Sequence, residues 1–155
     1  MDYDLKPCML CGDCSVSGHC PYDEAFNTLY DQILEADGLF IVIPYYSPIP
    51  SKLLILFEKT NELFYAKWIH NPTFLSPLNG IPVGIIGHGG MVESPEVLKY
   101  YHDHLVSPVA NTLKSFSLKL IPCDSKFPNG AVFGLKDDVS QYRVEGKLFP
   151  EIRQD

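Results

Sequence analysis

Apolar positions along this chain fall into two patterns. Residues 39–43 (Leu-Phe-Ile-Val-Ile) and 82–86 (Pro-Val-Gly-Ile-Ile) are short apolar runs. Their length and β-branched content predict strands buried in a parallel sheet. Elsewhere apolar residues recur at helical spacing. Phe26, Leu29, Tyr30, Ile33 and Leu34 predict a helix that Asp23 caps and Ala36-Asp37-Gly38 ends. Leu53, Leu54, Phe57 and Phe64 predict a second helix with Ser51 at its cap. Residues 68–80, broken by Pro72, Pro77 and Gly80, read as a surface connection. Ser94-Pro95-Glu96 is a helix start, with Val97, Leu98, Tyr101 and Leu105 facing the core until Pro108 kinks or restarts the helix. A third strand is expected over 118–121 and a short one over 131–135. Strand, loop and helix, repeated three times, predict one α/β domain with a parallel sheet.

Residues 1–21 fit neither pattern. They are polar and carry four of the chain's five cysteines. Cys8, Cys11, Cys14 and Cys20 read C-x2-C-x2-C-x5-C, followed by Pro21. Thiolates are soft ligands that suit iron–sulfur clusters or zinc. Three cysteines at two-residue gaps let a short loop wrap one cluster, and bacterial ferredoxins share those gaps and the Cys-Pro ending. The longer last gap, containing Gly18, lets all four thiolates reach one cubane. Zinc prefers two close pairs with a longer spacer, so it is the alternative here, with unligated thiols a third. His19 reads as a solvated loop residue and Cys123 as a buried thiol.

Ligands of open parallel sheets bind beyond the carboxyl ends of the strands. Residues 44–50 and 87–92 are the loops expected there, facing each other across one crevice. Tyr45 and Tyr46 offer flat surfaces for a planar ring. Gly87, Gly89 and Gly90 allow close backbone approach, and His88 either bonds the ligand or caps the turn. The bland alternative is that the glycines make a turn and the tyrosines pack. His102 and His104, two apart, diverge on a helix and make a poor metal pair.

The net charge of −7, without a Lys/Arg cluster, argues against nucleic acid as a partner. No apolar run is long enough to span a bilayer, and the acidic start is not a secretory signal. A cytoplasmic location is expected, where thiols stay reduced.

Taken together, three stretches resemble the iron–sulfur flavoproteins of the NADPH-dependent FMN reductase group. They are Lys6-Pro7-Cys8 through Cys20, Ala36-Asp37-Gly38 through Lys59-Thr60 with its Pro-x-Tyr loop, and Pro82 through Gly90. The resemblance implies a flavodoxin-like three-layer sandwich over residues 22–122, preceded by a cluster loop (1–21) and followed by a C-terminal extension (123–155). It implies a 4Fe–4S cluster on Cys8, Cys11, Cys14 and Cys20. It further implies FMN, with Pro44, Tyr45, Tyr46 and Ser47 along the ring and Gly87, His88, Gly89 and Gly90 at its polar edge. Electron transfer between the two centres follows, in a homo-oligomer, with a redox partner protein or NAD(P)H as electron source. An FMN reductase-like oxidoreductase activity is one form this could take.

The chain departs from the family at its start. The family opens with a strand and a loop that cradles the FMN phosphate, and this sequence begins after both, as a truncated form of a longer protein would. Losing several charge-assisted hydrogen bonds at ~1.5–3 kcal/mol each would remove most of the flavin affinity. The missing strand would lie beside residues 39–44 and leave an apolar edge. The strand at 131–135 or another chain is expected to cover it. The alternatives are therefore a cluster-only electron-transfer or redox-sensing module and a zinc-stabilised interaction domain without enzymatic activity.

Overall fold

The computed structural model describes residues 3–136. Met1, Asp2 and residues 137–155 of the expected C-terminal extension lie outside it. The chain forms a mixed α/β structure in which four parallel strands carry flanking helices, compatible with a flavodoxin-like three-layer fold. In order these are α1 (Cys14–Ser17), α2 (Glu24–Leu34), β1 (Leu39–Pro44), α3 (Ser51–His70), β2 (Pro82–Val92), α4 (Pro95–Tyr101), a π-helical turn (His102–Val106), α5 (Ser107–Ser115), β3 (Lys119–Leu120) and β4 (Ala131–Leu135).

Local chemistry explains most boundaries. Asp23 accepts the Phe26 N–H at 3.0 Å and starts α2, and Ser94 does the same for Val97 at 3.2 Å to start α4. Ser51 differs from expectation: Pro50 precedes α3 without a side-chain cap, and Ser51 is its first helical residue. At Pro108, which has no N–H to give, the ladder shifts in advance. The Ser107 N–H reaches five residues back to the His102 carbonyl, and α5 continues from the π-helical turn.

Strand β2 is the centre of the sheet. On one side it pairs with β1, from Leu39↔Val83 to Pro44↔His88. On the other it pairs first with β3 and then, further along, with β4, through Gly87↔Val132 and His88↔Phe133 to Val92↔Leu135. Two expectations change here. The glycine-rich stretch after residue 86 is strand, because β4 supplies a partner for it. And β4 does not cover β1; among the described residues no strand lies beside the outer edge of β1.

Ile41, Ile43, Val83, Ile85 and Val132 face the helical layer and meet Phe57, Tyr101, Leu105, Val106, Val109, Leu113 and Phe116 in the main core. A smaller second core joins Cys14 to Phe26, Tyr30 and Leu63. Each fully buried large apolar side chain contributes roughly 1.5–3 kcal/mol. The opposite sheet face is bare among the described residues: Phe40 is 78% exposed, Val42 60% and Phe133 49%. Phe40 lies across Gly84, where a Cβ would come within 2.7 Å of its ring.

Helix α3 serves both cores. Phe57 lies in the main core with Leu53 and Phe64 against it, and Leu63 lies in the second with Leu56 against it. No helix of the described residues is long and apolar enough to cross a membrane.

Candidate functional site

The cysteine loop is shaped by its backbone. Gly12 and Gly18 take left-handed conformations (φ 79° and 76°), and so does Leu10 (φ 53°), which a side chain disfavours. Strain of this kind persists only where the surroundings hold it, and functional loops are where it collects. Between the two glycines, α1 is a single turn closed by the Gly18 N–H on the Cys14 carbonyl at 2.9 Å.

The loop brings together what the sequence spacing anticipates. Cys8, Cys11, Cys14 and Cys20 all line one cavity of about 70 Å³, together with Tyr22, Lys59 and Glu62. Cys14 is buried, Cys8 and Cys20 half-buried, and Cys11 exposed at the rim. Neighbouring side chains hold the backbone of two of them. Cys20 donates its N–H to Asn27 Oδ1 and accepts from Asn27 Nδ2 at its carbonyl, both at 2.8 Å. The Cys8 N–H donates to Glu58 Oε2 at 3.4 Å. Tyr22 donates its hydroxyl to Asp13 at 2.9 Å, which raises the phenol pKa. Burial pushes the Cys14 thiol up, and the negative charges of Glu62, Cys11 and Cys8 push it further.

Among the described residues no three His, Cys, Asp or Glu side chains converge where a single metal ion would sit. Four thiolates on one cavity are soft donors, and that donor set fits an iron–sulfur cluster or zinc.

Behind the loop lies an ion pair that sequence patterning missed. Lys59 Nζ sits 2.7 Å from Asp23 Oδ2, with side-chain exposures of 4% and 1%. The same ammonium donates to Cys20 Sγ at 3.5 Å and stands 5.3 Å from the centre of the Phe26 ring. Asp23 also accepts the Lys6 N–H at 2.8 Å and the Phe26 N–H at 3.0 Å. Burial opposes ionisation of Asp23, but the bonds from Lys59, Lys6 and Phe26 outweigh it and hold the carboxyl below its ordinary range. Burial likewise works against the Lys59 ammonium, and Asp23 and Cys20 together overcome it and raise its pKa. Lys59 stands inside the polar stretch Glu58-Lys59-Thr60-Asn61-Glu62, between the apolar runs 53–57 and 63–66, so the local sequence gives no signal of its burial.

The second candidate region lies at the carboxyl ends of β1 and β2. Their pairing sets Pro44 beside His88, and the Tyr45 N–H donates to the His88 carbonyl at 2.8 Å, so the two stretches meet at Pro44, Tyr45 and His88 as neighbouring strand ends. Tyr45 is half-buried, its ring 5.6 Å from Tyr100 and 5.4 Å from Tyr101, and its hydroxyl 2.6 Å from that of Tyr100. That hydrogen bond raises the Tyr45 pKa. Tyr46 is exposed, and Ser47 takes a left-handed backbone (φ 52°). His88 and Gly90 are exposed, whereas Gly87 and Gly89 face packed neighbours. A Cβ at Gly87 would come within 2.6 Å of Val106, and one at Gly89 would run into the Tyr101 ring. The Tyr101 hydroxyl accepts the Met91 N–H at 3.0 Å. None of residues 44–47 or 87–90 lines the cysteine cavity, so the two regions are separate.

The remaining candidates separate cleanly. His19 is exposed and pairs with Asp31 at 3.0 Å. His102 packs on Phe127 and His104 on Tyr100, so they do not form a pair. Cys123 is exposed, not buried: it lies in the loop between β3 and β4, outside either core.

No family model and no solved structure matches the chain. Over 58 residues, 37% of the chain, it is 29% identical to a protein of Methanosarcina thermophila described as an iron–sulfur flavoprotein. The match covers 30% of that protein's length.

Proposed function

We propose that this chain is an electron-transfer protein in which Cys8, Cys11, Cys14 and Cys20 hold a 4Fe–4S cluster. The observation that carries the reading is the meeting of all four thiols on one cavity. When bound, such a cluster takes up and returns single electrons. The chain's own part is to fix the ligands. Asn27 clamps Cys20 from both sides of its peptide, α1 sets Cys14 in the wall, and the exposed Cys11 gives the site its contact with solvent.

In the fuller form of the reading, FMN lies along Pro44, Tyr45, Tyr46 and Ser47, with its polar edge at Gly87, His88, Gly89 and Gly90. Electrons then come from a redox partner protein or NAD(P)H, and the protein works as a homo-oligomer. The tyrosine cluster supports a flat ring there. A second reading, a cluster without flavin, is favoured by the glycines: Gly87 and Gly89 are accounted for by packing against Val106 and Tyr101.

Anaerobic purification followed by iron, sulfide, zinc and flavin analysis separates these. Four iron and four sulfide per chain with FMN are expected for the first reading, and the same inorganic content without FMN for the second. Stoichiometric zinc in place of iron sinks both. Cys11→Ser is expected to abolish the cluster absorbance, and a normal iron content in that variant would overturn the ligand assignment.

A further inference from the structure

Lys59 is an expensive residue to bury, and capping α2 does not require it. Asp23 alone accepts the Phe26 N–H, and a neutral Asn in its place could do the same. What the ammonium adds is a fixed positive charge directed at one sulfur of the cavity, Cys20 Sγ, at 3.5 Å. Asp23 divides its own charge among Lys59 and the N–H groups of Lys6 and Phe26, so it does not consume the lysine's donors. Of the other charged side chains on the cavity wall, Lys6 is exposed and screened, and Glu62 acts with the opposite sign.

We propose that Lys59 is a positioning residue that sets the reduction potential of the centre held by Cys20, raising it through its buried charge and its hydrogen bond to the sulfur. The proposal rests on the cluster reading above. An electron added to the centre increases its negative charge, and a nearby cation with little water around it favours the reduced form. Hydrogen bonds to ligand sulfurs act in the same direction. Asp23 opposes this field, so the two members of one ion pair push the potential in opposite directions.

Spectroelectrochemical titration of anaerobically reconstituted protein tests this. Lys59→Leu, which introduces no new sulfur, is expected to lower the midpoint potential by at least the 59 mV that a tenfold change in a one-electron equilibrium represents. Lys59→Arg keeps the charge and is expected to restore most of that shift. Asp23→Asn, which retains Lys59 and can still cap α2, is expected to raise the potential. It decides the matter alone if Lys59→Leu does not fold. A purely structural role predicts no opposed shifts. Equal potentials throughout, or shifts of one sign in Lys59→Leu and Asp23→Asn, overturn the proposal while leaving the cluster intact. A wild-type protein that takes up no iron and sulfide overturns the cluster reading and this proposal with it.

Discussion

At 2.7 Å and almost out of contact with water, Asp23 and Lys59 carry opposite dependences on pH. The Asp23 carboxyl is held below its ordinary value of 3.8, so its contribution is complete above that pH and is lost as pH falls through the lower folded value. The Lys59 ammonium is held above 10.5, so its contribution is complete below that pH and is lost as pH rises through the higher folded value. Between these limits the pair adds a constant term. Removing one partner of a buried pair costs roughly 3–5 kcal/mol, because the other is left charged and alone. Asp23→Ala is therefore expected to lose about that much at neutral pH in urea titrations. Its acid-side decline should also be shallower than that of the wild type, and an unchanged decline would remove Asp23 from the account.

Among the elements, helix starts give a contrast that stability measurements can read. Ser94 caps α4 through its side chain, whereas Ser51 makes no cap bond to α3. Ser94→Ala is expected to cost about 1 kcal/mol and Ser51→Ala within about 0.5 kcal/mol. Equal losses in thermal unfolding would contradict the assignment. The same elements show what patterning can and cannot read. The apolar runs at β1 and β2, the caps at Asp23 and Ser94 and the break near Pro108 all follow from local preference, and the structure has each of them. The length of β2 does not. Gly87, Gly89 and Gly90 have the chemistry of a turn, and beyond His88, where β1 ends, the strand continues against β4, more than forty residues later. Lys59 escaped for a related reason: a lysine on a helix reads as solvated until the cysteine loop and α2 are known to close over it. The gathering of the four cysteines on one cavity was legible because its signal is spacing within one loop. The exposure of Cys123 was not, since burial depends on where distant elements pack.

At the scale of the whole molecule, the described residues cover one face of the sheet with helices and leave the other bare. Phe40, Val42 and Phe133 stand on the sheet face away from the helices, and the first two belong to β1, whose outer edge no described strand pairs. Apolar patches and open strand edges of this kind mark association surfaces. The homo-oligomer proposed above has a concrete test in this face. Val42→Lys, which sets a charge on the outermost strand, is expected to shift the protein to lower mass in light scattering at equal concentration, without loss of helical signal. An unchanged mass places the association surface elsewhere.

Helix α3 passes through both cores, with Lys59 and Leu63 at the cysteine loop and Phe57 under the sheet. A ligand that tightens the loop therefore also restrains the middle of the domain. Amide hydrogens along α3 should exchange with deuterium more slowly when the loop is loaded, even those facing the sheet, while those of α5 should change little. A single rod held at two points makes the occupancy of a surface loop audible in the interior.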